Sequence, residues 1–371
     1  FYRSQGGYCS PRSSASADPR GMITPWPRAW GSSSGSALIR CSPEDFCVSE
    51  QLGFELSGDG EHSFLYLQKR QLNSMQLLQR VSDLSGAAQR DIGLSGLKDR
   101  NAVTRQWFSV GMAGRAEPNW GSLESEGDVQ VLEVSRHLRK LRRGVHRANH
   151  FTLVLRELMG DRVALEQRLQ TLRDQGVPNY FGEQRFGRNG STLEQAQRWM
   201  QSGRRISREK RSLYFSALRA YVFNRLLAVR VANGDWNKIR SGDVCLLNGT
   251  RSFFTCDELN DDLCSRASRG DIHPGLPLWG RSQSRAELGF NELQMECLAQ
   301  CHAICGFLEE SGLELAWRSA RMVPDDFCWQ FCDDGSLRLD FALGAGSYAT
   351  ALLAEFVHYK EGHTESGIVS E

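Results

Sequence analysis

The chain has 371 residues, which exceeds the usual size of one domain and predicts two. Its formal net charge is only +1, so any nucleic-acid site must come from local clusters of Lys and Arg. No apolar run approaches the roughly 18–20 residues of a membrane-spanning helix, and the 11 cysteines include no Cys-x-x-Cys pair. These features are typical of a soluble cytoplasmic protein with reduced thiols, and we expect no membrane association.

The predicted elements begin after a long irregular segment. Residues 1–21 are rich in Ser, Arg and Gly and precede the first Met, so we interpret them as a disordered or extraneous extension. Extended segments are predicted over 39–50 and 63–67, and Asn73 or Ser74 is a suitable N-cap for the helix that follows. Apolar spacing predicts further strands at 92–97, 106–110, 129–134 and 151–157, and helices at 162–174 and 193–201.

The segment 205–322 has a different, more helical pattern. It is predicted to contain helices at 212–231 and 290–310, a short strand at 244–247, and loops around His273-Pro274-Gly275. Strands return at 327–331 and 337–342, followed by a helix at 349–358. We therefore predict an α+β fold in which 22–204 and 323–371 form one domain and 205–322 is an inserted, mostly helical α+β domain.

Two basic clusters are candidate contacts for a phosphate backbone, because such contacts supply most sequence-independent affinity for nucleic acids. One cluster spans 136–147 and the other spans 204–211. A solvated charged surface is the alternative interpretation of each. The residues that we select as RNA-backbone contacts are Arg139, Lys140, Arg142, Arg143, Arg147, Lys210 and Arg211.

Two short motifs carry groups that suit chemistry on a nucleobase. In Gly96-Leu97-Lys98-Asp99-Arg100, cations flank a carboxylate; they favour its ionised form, which can act as a nucleophile. Asn179-Tyr180-Phe181-Gly182 sets an amide beside aromatic rings, and a flipped base needs both an edge reader and a stacking surface. Taken alone, the first motif is more typical of an ordinary turn carboxylate, and the second is a weak signal that a buried aromatic loop also explains.

Three cysteines occur at four-residue spacing in the predicted helix 290–310, namely Cys297, Cys301 and Cys305. A thiol–metal protein is one interpretation of this pattern. Zinc sites usually use closely spaced pairs on turns plus a second half-site, which we do not find, so small buried residues on one helix face are the better interpretation. No phosphate-binding Gly-x-x-x-x-Gly-Lys-Ser/Thr loop and no Gly-x-Ser-x-Gly motif is present.

In their order along the chain, these motifs and several others resemble the tRNA pseudouridine synthase D (TruD) family, and the resemblance covers nearly all of 22–371. The matching stretches are Ser42 to Phe46, Leu52 to Glu55, Gly60 to His62, Gly96 to Thr104, Gln106-Trp107, Lys140 to Gly144, Asn149 to Phe151, Val177 to Gly187, Lys210 to Ser212 and Gly346 to Thr350.

The resemblance implies a pseudouridine-synthase catalytic domain, with a mixed or antiparallel sheet flanked by helices, and an inserted TRUD domain. It implies an isomerase (an intramolecular transferase) that converts uridine 13 of tRNA to pseudouridine without a cofactor or metal. Asp99 falls on the catalytic aspartate. The positions expected to contact substrate are Phe46, Asn179, Phe181 and Tyr348, with Arg40 and Lys98 as the nearby cations. We expect a monomer.

Two departures from the family pattern affect details of the side-chain contacts and leave the expected activity unchanged. Arg40 stands where Lys occurs, and Tyr348 stands where Phe occurs. Both exchanges keep the cation or the ring. A non-catalytic tRNA-binding or folding factor on the same scaffold is the alternative function. The sequence leaves open whether Asp99 attacks C1′ of the ribose or C6 of the uracil, and which tRNA species are used.

Overall fold

The computed structural model describes residues 26–250, 252–282 and 290–362, and the predicted extension at 1–21 lies outside this range. The first half of the described chain is rich in strands. Its elements are β1 (Gly35–Ile39), β2 (Phe46–Gln51), β3 (His62–Arg70), α1 (Ser74–Ser85), β4 (Ile92–Leu94), β5 (Val103–Gly111), β6 (Val129–His137), β7 (Ala148–Gly160), α2 (Arg162–Gln175), β8 (Val177–Pro178) and α3 (Ser191–Ser202).

The second half begins with the longest helix of the described residues. Its elements are α4 (Arg208–Ala232), β9 (Val244–Leu247), β10 (Phe253–Thr255), α5 (Asp261–Arg269), β11 (Ile272–Leu278), α6 (Glu292–Gln300), α7 (His302–Glu310), β12 (Ala316–Ser319), β13 (Arg321–Met322), β14 (Asp325–Phe331), β15 (Leu337–Gly344), α8 (Ala349–Ala354) and β16 (Val357–Glu361).

A ten-stranded mixed sheet organises the described part of the chain outside the insertion. Its main path runs β14-β15-β7-β2-β5-β3-β6, while β4 pairs with β5 and β1 pairs with β7 and β16. The β2–β5 and β1–β16 pairs are parallel and the others are antiparallel. The long strand β7 spans the sheet, because it pairs with β15, β2 and, at its far end, β1. This is the α+β architecture that the sequence predicted.

Two apolar cores cover this sheet. One lies between the sheet and the helices α2 and α8, and it includes Leu153, Leu169 and Leu352. The other packs α1 against β3 and β5 through Leu77 and Phe108. The start of α1 is fixed as predicted, because the Asn73 side chain accepts a hydrogen bond from the backbone of Met75 within a capping box.

The segment 205–322, called the insertion here, contributes most of a core around α4, which packs against α3, α6 and α7. It also contains a four-stranded sheet in the order β10-β9-β11-β12. The same core takes in Tyr180, Phe181 and Phe186, so the loop before α3 packs against the insertion. The two-stranded pair β8–β13 joins the chain that enters this region to the chain that leaves it.

Several secondary-structure expectations were wrong. The strand expected over 92–97 ends at Leu94, and a short helix, Pro43–Asp45, interrupts the extended segment expected over 39–50. The segment around His273-Pro274-Gly275 is the buried strand β11, and a Cβ at Gly275 would lie 2.5 Å from Leu246 Cδ1, so glycine permits β9 to pack this closely. The helix expected over 290–310 is two helices that meet at Cys301. The helix expected over 349–358 ends at Ala354, and β16 follows it.

The three regularly spaced cysteines, Cys297, Cys301 and Cys305, are buried in the core around α4. Their burial agrees with their interpretation as small core residues. Within the ranges that the structure describes, none of the helices combines the length and the apolar character that a membrane crossing requires.

Candidate active site

Asp99 lies in an irregular segment between β4 and β5, and its side chain remains 37 % exposed. One carboxylate oxygen, Oδ2, accepts a hydrogen bond of 2.7 Å from Arg40 Nη2. Gln184 Nε2 lies 3.1 Å from Oδ1 and 3.2 Å from Oδ2. The carboxylate is therefore oriented by a cation from the end of β1 and by an amide from the short helix Glu183–Phe186.

Arg40 is held in an unusual backbone conformation. Its φ is +57°, which is uncommon for a residue other than glycine and persists where the surroundings enforce it. Its guanidinium lies 4.2 Å from the centroid of the Phe46 ring and also donates to the Glu361 carboxylate on β16. Arg40 is thus positioned from three sides, with Phe46 buried beneath it.

Lys98 is adjacent to Asp99 in sequence, but its side chain belongs to a separate buried cluster. Its Nζ lies 3.0 Å from Glu50 Oε2 and 2.5 Å from Asn149 Oδ1. His146 completes the cluster through a 3.2 Å contact with Asn149, and burial, assisted by Lys98, lowers the pKa of His146. The structure therefore brings Arg40, and not Lys98, to the carboxylate of Asp99.

The Asn179 amide is held at a fixed orientation. Its Nδ2 donates to the carbonyl of Ser319 at 3.0 Å, and its Oδ1 accepts from Arg318 Nη2 at 2.6 Å. Each of these bonds uses one of two positions, since an amide has two N–H donors and two acceptor lone pairs. Among the described residues, one donor and one acceptor position of Asn179 are not used by these bonds.

The Phe181 ring is packed between side chains that come from the insertion. The guanidinium of Arg318 lies 4.1 Å from its centroid, and Phe223 of α4 meets it edge-on at 5.4 Å. The fully buried Asn224 pairs with both backbone groups of Phe181, accepting from its N–H at 2.9 Å and donating to its carbonyl at 3.0 Å. Desolvation lowers the pKa of Arg318 to about 10, so it is protonated at neutral pH.

Tyr348 lies next to Phe181, with 6.0 Å between the ring centroids. Its hydroxyl accepts a 2.9 Å hydrogen bond from Arg185 Nε. A Cβ at Gly182 would lie 2.8 Å from Thr350 Oγ1 and 3.0 Å from Tyr348 Cδ1. Glycine at 182 therefore permits the aromatic loop to approach the segment that carries Tyr348.

The predicted RNA-backbone residues are mostly exposed. Those with exposed side chains are Arg139, Arg142, Arg143, Arg147, Lys210 and Arg211. Lys140 differs, because it is partly buried and its ammonium donates to the carbonyl of Arg90. At the start of α4, Lys210 lies over the ring of Tyr214 and Arg211 lies over the ring of Phe215. The charged groups themselves lie 5.7 Å and 5.6 Å from the two ring centroids, and both residues remain exposed.

Sequence reasoning missed several residues of this site. Gln184 and Arg185 lie within the Val177–Gly187 motif, so their closeness to Asn179 in the sequence could have identified them as site residues. Glu361, Arg318 and Asn224 carry no local signal, because only the tertiary fold brings them to the loop or to Arg40.

Comparison with known proteins gives the family. The model of the family described as tRNA pseudouridine synthase D (TruD) matches residues 29–194 and 190–356. The chain belongs to this family. It is 45 % identical to tRNA pseudouridine synthase D of Methylococcus capsulatus over 334 residues, which are 90 % of this chain and 94 % of that protein. It is 42 % identical to the protein of that name from Nitrosococcus oceani, over 91 % of this chain and 94 % of that protein.

A solved structure supports the fold independently. The crystal structure described as tRNA pseudouridine synthase D from Methanosarcina mazei superposes with a TM-score of 0.63 at 18 % identity. The alignment covers 91 % of this chain and 96 % of that one. At this identity the similarity concerns the fold alone.

Proposed function

We propose that this chain is a tRNA pseudouridine synthase that isomerises uridine 13 of tRNA, with Asp99 as its nucleophile. The observation that carries the proposal is the carboxylate of Asp99, which remains partly exposed while Arg40 and Gln184 hold both of its oxygens. It occurs in a chain 45 % identical to a protein named tRNA pseudouridine synthase D.

The reaction requires no net oxidation or reduction. The bond between ribose C1′ and uracil N1 breaks, the base rotates, and a bond between C1′ and C5 forms. The proton on C5 is lost and N1 gains one, so the product is an isomer of the substrate. In one route the carboxylate of Asp99 bonds to C1′ as N1 leaves with the electron pair, and C5 later displaces the carboxylate. In the other route the carboxylate adds to C6 and the electrons of the C5–C6 double bond move to the C4 carbonyl oxygen. The C1′–N1 bond then breaks, the base rotates and C5 bonds to C1′, after which loss of the C5 proton and departure of the carboxylate restore the double bond.

The side chains of the loop that carries Asn179 and Phe181, and those packed against it, suit a uridine removed from its stack. Unpairing costs about a few kcal/mol, which pocket contacts must offset. The free donor and acceptor positions of Asn179 match the alternating carbonyl and N–H groups of the uracil edge. Phe181 and Tyr348 would supply aromatic surface, and the guanidinium of Arg318, which lies over the Phe181 ring, would stabilise negative charge on a departing base.

The rest of the tRNA would follow the exposed cations, of which Arg142, Arg143, Lys210 and Arg211 lie on two separate segments. Their contacts would be mainly to phosphate and would fix position, not sequence. Recognition of position 13 would then follow from the geometry of the folded tRNA relative to Asp99.

The test is incubation with unmodified tRNA transcripts, followed by mapping of pseudouridine at each position. We expect product at position 13 and none with Asp99→Asn, while the Kd of that variant for tRNA stays near the wild-type value. Binding without modification at any position would support the non-catalytic tRNA-binding alternative. Ordinary turnover by Asp99→Asn would show that another group is the nucleophile.

A further inference from the structure

The segment that carries Asp99 is held from beneath by fully buried polar side chains. Ser74 at the start of α1 accepts from the backbone N–H of Lys98 at 3.0 Å and donates to Gln106 Oε1 at 2.8 Å. Gln106 on β5 donates in turn to the carbonyl of Gly96 at 3.2 Å. An irregular segment is thereby fixed to two regular elements.

Lys69, on β3, contacts the catalytic segment most directly. It is 0 % exposed, and its Nζ donates at 2.7 Å to the carbonyl of Asp99 itself and at 2.7 Å to the carbonyl of Leu72. The carbonyl of Lys98 lies 3.5 Å away. Among the described residues no carboxylate forms an ion pair with Lys69. A buried ammonium with only neutral acceptors is costly, and most buried charges are paired.

Resting on the function proposed above, we propose that Lys69 is a positioning residue for Asp99. By holding the carbonyl of Asp99, it fixes the backbone from which the carboxylate reaches Arg40 and Gln184. Lys69 does not contact substrate, because the backbone of Leu72 and Asp99 encloses its ammonium group.

The surroundings of Lys69 give the proposal a pH signature. Burial lowers the pKa of Lys69 to about 8, with the Asp99 carboxylate raising it and Lys98 lowering it. Opposite Lys69 in the sheet stand Thr104 on β5 and Val129 on β6, neither of which titrates. The ammonium therefore loses its charge as pH rises through about 8, and the rate of the chemical step should fall in the same range.

The experiment compares wild type, Lys69→Met and Lys238→Met in single-turnover assays on a tRNA transcript, with Kd for the same tRNA measured separately. Lys238 is the matched control, because it is an exposed lysine of the insertion. We expect Lys69→Met to lower the single-turnover rate about 100-fold, as a displaced reacting group does, and to leave Kd within about twofold. We expect the wild-type rate to decline above about pH 8. The residual rate of Lys69→Met should lack that decline.

Each outcome decides one claim. A folded Lys69→Met with the wild-type rate and pH profile would overturn the role of Lys69 and leave the proposed function intact. A wild-type protein that forms no pseudouridine at any position would overturn the proposed function itself. If Lys69→Met does not fold, the wild-type profile decides: a decline near pH 8 supports the proposal, and a flat profile between about pH 7 and 9 overturns it.

Discussion

Replacing Asn224 with leucine tests whether the insertion holds the aromatic loop in place. Asn224 is fully buried on α4, and its amide pairs with both the N–H and the carbonyl of Phe181. Leucine has a similar volume but satisfies neither group. Each of the two buried backbone groups left unpaired costs about 1–3 kcal/mol, while burying the leucine returns about 1.5–3 kcal/mol. The middle of these ranges is a cost of about 4 kcal/mol against a gain of about 2 kcal/mol, so we expect the free energy of unfolding to fall by about 2 kcal/mol.

The same substitution should lower activity, because Phe181 shares its loop with Asn179. A displacement of about 1 Å in a substrate-contacting group can cost about 100-fold in rate, so we expect a loss of about 10- to 100-fold in the single-turnover rate. Stability is measured by urea denaturation, and the loop is monitored by hydrogen exchange at the Phe181 amide.

The matched control is Asn233→Ala, because Asn233 is exposed at the end of the same helix. We expect it to change the free energy of unfolding by less than about 0.5 kcal/mol, as surface substitutions usually do. The reasoning is refuted if Asn224→Leu keeps the stability of the control and the Phe181 amide stays as protected from exchange as in wild type.

Three further variants test the proposed RNA path, the Tyr348 hydroxyl and the buried pair of Lys98 and Glu50. The pair Arg142→Ala and Arg143→Ala should weaken tRNA binding and reduce the slope of log K against log salt by about 1–2, and an unchanged slope would remove both residues from the RNA path. Tyr348→Phe keeps the ring and loses one hydrogen bond, so the rate should change by less than about tenfold; a loss beyond that would give the hydroxyl a role in the chemistry. Lys98→Met leaves the Glu50 carboxylate buried without its cation, so the free energy of unfolding measured by urea denaturation should fall by about 3–5 kcal/mol. A variant as stable as wild type would show that this pair does not stabilise the fold.

Local chemistry made parts of the fold predictable. The N-cap at Asn73 and the apolar spacing after it place α1 correctly, because capping and amphipathicity act within a few residues. The strand β11 was not predictable in the same way. Pro274 and Gly275 are typical of loops, and they form a strand here because neighbouring strands pair with both of its edges.

The candidate site was also predictable only where local sequence identifies its residues. The motifs that contain Asp99 and Asn179 are visible in the sequence, and so is the loop that precedes α3. The sequence could not show that Lys98 turns toward Glu50, because adjacency along the chain does not decide which way a side chain points. Nor could it show that Arg318 contacts Asn179, since 139 residues separate them.

The pairing of β1 with β16 also has a consequence during synthesis. Arg40 follows β1 directly, and its second carboxylate partner, Glu361, belongs to a strand made more than 300 residues later. At about 5–20 residues per second, a ribosome takes roughly 15 s to a minute to cover that distance. Until then one edge of β1 has no partner strand and Arg40 lacks one of its two anions. The nascent chain therefore cannot complete the surroundings of Asp99 early, and competence to act on RNA should arise only as the last strand of the sheet is added.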